Sequence, residues 1–161
     1  MNTIRFTVPS VPIAQPRTKV SSFGGHARAY TPTTVTAKDG SKKPHPVAAF
    51  KASCRHAVSQ VYSGAPLQGP LSLSLVFVLP RPQKLIWKMR QMPRVWHTGK
   101  PDSDNLQKSL KDALSQLAWV DDAQVCRVDA VKYIASGDEQ PHVEVVIEQL
   151  EEYDPYAQET R

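Results

Sequence analysis

Residues 101–125, PDSDNLQKSLKDALSQLAWVDDAQV, constrain this chain more than any other stretch. Leu106, Leu110, Ala113, Leu114 and Leu117 recur at helical spacing, which predicts an amphipathic helix from about Asp104 to Leu117 with one buried stripe. Asp102 and Asp104 stand one residue apart where it begins, and Asp121 and Asp122 follow its end. Four carboxylates around one short helix repel each other unless a positive group lies between them. Hard divalent cations take oxygen ligands, so a metal ion is the natural candidate. A helix of about fourteen residues is roughly 20 Å long. The two pairs meet only if the chain folds back, or if Asp121 and Asp122 lie on a strand beside the helix start.

Each of these residues also has a plainer use. Asp is a favoured N-cap, and its charge suits a helix N-terminus. Asp121 and Asp122 suit a turn between helix and strand. Lys108 lies four residues after Asp104, the spacing of a surface ion pair, yet the same spacing puts its ammonium beside a metal site. Asn105 can cap the helix or orient a carboxylate. His97 suits either an exposed loop or a phosphate contact. Trp87 and Trp96 suit base stacking or packing of a loop on the core.

The remaining sequence frames this segment with charge. Residues 1–100 hold fifteen Lys and Arg against one acid, Asp39, a net +14; residues 101–161 hold five against fourteen, a net −9. A basic region is the electrostatic footprint of a polyanion binder. Ile4, Phe6 and Val8 alternate with Arg5 and Thr7, Leu71, Leu73, Leu75 and Phe77 alternate with Ser72, Ser74 and Val76, and each set predicts a strand. Val125–Tyr133 and His142–Ile147 predict two more, split at Gly137-Asp138. Phe50, Cys54, Ala57, Val58 and Val61 give a helix over 47–62. Residues 14–46 and 81–100 read as long basic loops, and 151–161 as a polar tail outside a domain at 1–150. The order β–α–β–α–β–β predicts a single α/β (α+β) domain: a small mixed sheet of about four strands packed with two helices. Cys54 and Cys126 show no zinc spacing and read as buried or partly buried free thiols of a reducing cytoplasm. No signal peptide or apolar run long enough for a membrane is evident, so a cytoplasmic protein with no membrane partner is expected.

The pattern PDSDNLQKSLKDAL…WVDDAQV resembles the signature of the RusA family of Holliday junction resolvases of prophages and bacteria. Gln15-Pro16-Arg17 and Ala29-Tyr30-Thr31-Pro32 resemble the basic N-terminal segment of its phage-type members. The similarity is dense over 98–128, patchy over 14–34 and weak elsewhere. It implies a homodimeric, Mg²⁺-dependent endonuclease, with Mn²⁺ as a substitute ion, that resolves four-way DNA junctions by paired symmetric nicking in recombination and repair. It implies that Asp102, Asp104 and Asp122 are the metal ligands and, with Lys108, the catalytic set. Arg17, Lys19, Arg28, Arg90, Arg94 and Lys100, on the two basic loops, are the expected DNA contacts. The basic run before the Asp-x-Asp of some members is thinned here to His97-Thr98-Gly99-Lys100-Pro101. A junction-binding protein of the same fold without catalysis is the alternative.

Overall fold

The structure is a computed structural model that describes residues 2–23 and 25–151. All of the predicted polar tail after Glu151 lies outside the described residues. The chain runs β1 (Thr3–Val8), β2 (Lys19–Phe23), β3 (His26–Tyr30), β4 (Thr34–Thr36), β5 (Lys42–Pro44), α1 (Val47–Ser59), β6 (Leu71–Leu79), β7 (Val95–Trp96), α2 (Ser103–Leu114), β8 (Val125–Ile134) and β9 (His142–Gln149).

Period-two patterning makes the main sheet. In β1 the apolar Ile4, Phe6 and Val8 are buried while Thr3, Arg5 and Thr7 face out. The five strands are ordered β1-β9-β6-β8-β7, so the most apolar strand, β6, sits in the middle. β9 pairs antiparallel with both β1 and β6, whereas β6 and β8 are parallel. Parallel neighbours need a crossover, and α2 lies within it. The count exceeds the expected four because Val95 and Trp96 add a two-residue edge to β8.

The two helices pack on each other and on one sheet face. Phe50, Cys54 and Val58 of α1 meet Leu106, Leu110 and Leu114 of α2 in the same core as Leu73, Leu75 and Phe77. Lys51 Nζ donates to Asp112 Oδ2 at 3.0 Å, tying α1 to α2. Truncating the fully buried Leu110 to Ala would cost about 2–5 kcal/mol, because the well-packed site can collapse only partly.

Three expectations change. Residues 14–46 are not one loop: β2 with β3 and β4 with β5 form two antiparallel hairpins. Their composition is polar because little of either hairpin is buried, which removes the apolar signal that marks a strand. α2 ends at Leu114, and Gln116 takes φ 68°. This reversal leaves Leu117 44% exposed and turns Ala118 and Trp119 into the core. α1 likewise ends before Val61, which is exposed. Cys54 is buried, and burial pushes its thiol up to about 12, whereas Cys126 is exposed. The β6–β8 register shifts at Cys126: Leu71 faces Val125 but Ser72 faces Arg127.

Candidate metal and DNA site at the two ends of the central helix

Asp102 is the N-cap residue of α2, with extended backbone, but its carboxylate makes no capping hydrogen bond. The cap is the plainer use of this residue, and the side chain does not serve it. Instead Asp102 Oδ2 accepts from Arg17 Nη2 at 2.9 Å. Arg17 is held there by its own segment. Ser109 Oγ donates to the Ile13 carbonyl at 2.6 Å, and Gln15 N donates to the Asn105 carbonyl at 2.9 Å. The chain before Arg17 therefore lies along the first turns of α2. Between them is a cavity of about 450 Å³ lined by Ala14, Gln15, Arg17, Lys100, Pro101, Asp102 and Asn105. Gln15 Oε1 is buried without a hydrogen-bond partner among the described residues.

Asp104 follows on the first turn of α2, exposed, its Oδ1 3.4 Å from Asn105 Nδ2. Lys108 is exposed one turn further on and makes no ion pair among the described residues. Lys132 was not singled out from the sequence, yet it positions this end of the helix. Its Nζ donates to the carbonyls of Gly99 and Pro101 at 2.9 and 2.7 Å, pinning the loop before Asp102 to β8. A lysine within the predicted strand at 125–133 was the signal available.

The other end of α2 is built differently. Asp121 Oδ1 accepts from Ala123 N at 2.7 Å, and Gln124 Oε1 accepts from Asp121 N at 2.8 Å, a reciprocal cap on a short 3₁₀ turn. Gln124 Nε2 also donates to the carbonyls of Leu67 and Gly69. Asp122 Oδ1 accepts from the indole N–H of the buried Trp119 at 2.8 Å. Asp122 thus stands beyond the C-terminal end of α2, a twelve-residue helix of about 18 Å, while Asp102 and Asp104 stand at its N-terminal end. Among the described residues no three His, Cys, Asp or Glu side chains converge closely enough to hold a metal ion. Among the described residues, the two acidic pairs do not meet within one chain.

The carboxylate oxygens of Asp102 and Asp104 at the start of α2 are of the type a hard divalent cation takes, while the cavity beside Asp102 is also lined by Arg17 and Lys100. Oxygen donors without sulfur or imidazole favour Mg²⁺, Ca²⁺ or Mn²⁺ over softer ions.

The basic residues divide. Arg17 and Lys100 line the cavity, and Lys19 and Arg28 stand exposed on the first hairpin. Arg90 is exposed, its guanidinium 5.5 Å from the Trp87 ring centroid. Arg94, on the surface, is already paired: its Nε donates to Glu139 Oε1 at 2.9 Å and its Nη2 to Glu144 Oε1 at 2.8 Å. Hydrogen bonds from Arg94 hold the Glu139 carboxyl down at about 2, and the Arg94 guanidinium is pushed further up by Glu139 and Glu144. Its charge is compensated on the spot, which fits an anchor for the 81–100 segment better than a DNA contact. Trp96 stacks on Tyr133 with centroids 4.7 Å apart and stays 65% exposed.

The N-terminal end of α2 therefore sets Asp102 and Asp104 beside Arg17 and Lys100 on a mixed α+β fold. Residues 9–148 match the family model described as Endodeoxyribonuclease RusA, so the chain belongs to the RusA endodeoxyribonuclease family and is a DNA nuclease by family. It is 30% identical over 155 residues to the uncharacterized protein YqaN of Bacillus subtilis (strain 168), an alignment covering 93% of this chain and 99% of that one. It is 34% identical over 82 residues to the crossover junction endodeoxyribonuclease rusA of Lactococcus phage r1t, covering 50% of this chain and 56% of that one. No helix among the described residues is long and apolar enough to cross a membrane.

Proposed function

We propose that this protein is a Mg²⁺-dependent endonuclease, able to use Mn²⁺, that resolves four-way DNA junctions by paired symmetric nicking in recombination and repair. One observation carries this reading: Asp102 leaves its capping role unused and presents its carboxylate to a cavity lined by Arg17 and Lys100. A carboxylate that only ended a helix would be turned to the backbone N–H groups. Asp102, Asp104 and Asp122 hold the ion, and Lys108 offsets charge that develops on the phosphate. When bound, the ion supplies Lewis-acid polarisation of the phosphate and a more acidic water. Arg17, Lys19, Arg28, Arg90 and Lys100 grip the backbone, which positions DNA without reading its sequence.

The separation of the acids along α2 favours a specific assembly. A two-fold axis perpendicular to a helix sets two copies antiparallel. Two copies of α2 related in this way place Asp102 and Asp104 of one protomer beside the partner subunit's Asp122, and the reverse, giving two equivalent sites. Leu117 and Val120, exposed apolar residues in the turn that follows α2, are available for that contact. Two sites related by a dyad suit two equivalent strands of a junction. The test is a nicking assay on a synthetic four-way junction with and without Mg²⁺. Symmetric paired nicks only with the ion are expected; binding without nicking at saturating Mg²⁺ or Mn²⁺ would leave only the non-catalytic reading.

A further inference from the structure

We infer that the turn at residues 88–90 is a wedge for branched DNA: Met89, with Ile86 and Trp87, enters the centre of the junction where base stacking is interrupted, and Lys88 and Arg90 meet the flanking phosphates. This rests on DNA as the substrate, and not on the metal ligands or the assembly proposed above. The first observation is the tip itself. Met89 is 99% exposed, and Ile86 and Trp87 are exposed as well. Single exposed apolar residues are ordinary, but three on one turn form a patch that marks an interaction surface. The Arg90 guanidinium lies 5.5 Å from the Trp87 ring centroid, so cation and apolar surface are held together.

The second observation is that the base of this loop is closed. Arg81 ties its two ends: Nε donates to the Ala135 carbonyl at 2.8 Å, Nη1 to the Leu85 carbonyl at 3.3 Å and Nη2 to the Pro93 carbonyl. Gly137 N donates to the Met92 carbonyl at 2.9 Å. A loop pinned in this way has given up backbone freedom before a partner arrives, which lowers the cost of binding. The loop is also placed. Ala135 follows directly on β8, and Lys132 near the end of that strand fixes the loop before Asp102. One end of β8 therefore carries both the wedge and the start of α2.

The third observation selects the partner. Residues 81–100 hold six Lys and Arg and no acid. Lys84, Lys88 and Arg90 make no ion pair among the described residues. Apolar side chains flanked by unpaired cations suit an opened base step, since proteins that kink DNA insert residues such as Met and Ile between bases. At a branch point stacking is already broken, so insertion costs less there than in a duplex.

The test uses the full chain without divalent ions, so that no metal ligand takes part. Affinity is measured for a four-way junction and for a linear duplex of the same sequence. A fluorescent adenine analogue beside the branch point reports unstacking, and the wild type should raise its emission. Met89→Ser should bind the junction about ten-fold more weakly, within what burial of a methionine supplies, keep its duplex affinity within about two-fold, and lose most of the emission rise. Met89→Leu should restore both. Lys88→Gln combined with Arg90→Gln should weaken junction and duplex alike, with a salt slope shallower by about two. Wild-type junction affinity and emission in Met89→Ser, or equal weakening on both DNAs, would overturn the wedge and leave DNA binding standing. If Met89→Ser keeps junction binding but loses binding to vesicles of phosphatidylserine and phosphatidylcholine, or halves the sedimenting mass, the tip belongs to a lipid surface or a second copy and the wedge is overturned. A wild type that binds neither DNA would remove the proposed function and this inference together.

Discussion

The two ends of α2 carry the same residue type and put it to opposite uses. At the N-terminal end Asp102 makes no cap, pairs with one exposed arginine and faces a cavity, and Asp104 is exposed. At the C-terminal end Asp121 closes a reciprocal cap and Asp122 anchors the indole of a buried tryptophan. Structural acids are recognisable by the hydrogen bonds they accept from groups that would otherwise be unsatisfied. Asp102 accepts from one exposed guanidinium and satisfies no backbone donor of the helix. Asp122 has one oxygen committed to structure, so it should reveal itself through both stability and activity.

Substitutions at the two ends should separate these uses. Asp104→Asn and Asp102→Asn should lower junction nicking by about 10³-fold or more, with thermal unfolding nearly unchanged, because neither carboxylate supports the fold. A large loss of melting temperature in either would mean that the N-terminal acids are structural after all. Asp122→Asn should lower nicking comparably and also destabilise the protein by about 1 kcal/mol through the weakened Trp119 contact. Lys108→Ala should lower the turnover of bound junction about 10- to 100-fold with a smaller change in affinity, measured by single-turnover nicking against binding. Asp121→Ala should cost about 1 kcal/mol from the lost cap and leave nicking within about three-fold of wild type. If Asp121 proved more damaging to nicking than Asp122, the ligand at that end would be the wrong member of the pair.

The smallest effect concerns acid. Arg94 holds the Glu139 carboxyl at about 2 against an ordinary 4.5. The folded value is the depressed one, so the pair stabilises the fold fully above the ordinary value. That contribution drains as pH falls from about 4.5 toward 2. Glu139→Gln should flatten this part of the stability profile, followed by thermal melts across pH. An unchanged profile would show that Arg94 is not held as described.

What could be read from the chain tracks what periodicity can encode. β1 and both helices were legible because each buries one face and the sequence is patterned accordingly, and the central β6, buried on nearly both faces, was legible from its apolar run. The hairpins over Lys19–Tyr30 and Thr34–Pro44 were not, since strands that bury little carry no apolar rhythm. The early end of α2 hung on one left-handed residue, Gln116, for which propensity gives no warning. At the site, the acids and Lys108 were visible as a motif. Their separation was not, because it depends on Asp122 being tied to Trp119 beyond the helix. Lys132 and the clamp on Arg94 were missed for a similar reason: each works through partners more than thirty residues away.

In the proposed assembly Asp102 and Asp104 of one protomer work with the partner subunit's Asp122. Mixing separately inactive Asp104→Asn and Asp122→Asn proteins, unfolding and refolding them together, and assaying junction nicking tests it directly. In a mixed dimer one shared site carries both substitutions and the other carries neither. Random pairing should restore roughly a quarter of the wild-type site activity, while a mixture of Asp102→Asn with Asp104→Asn stays inactive. If the Asp104→Asn and Asp122→Asn mixture also stays inactive although mixed dimers form, each site lies within one chain and the shared-site account is wrong.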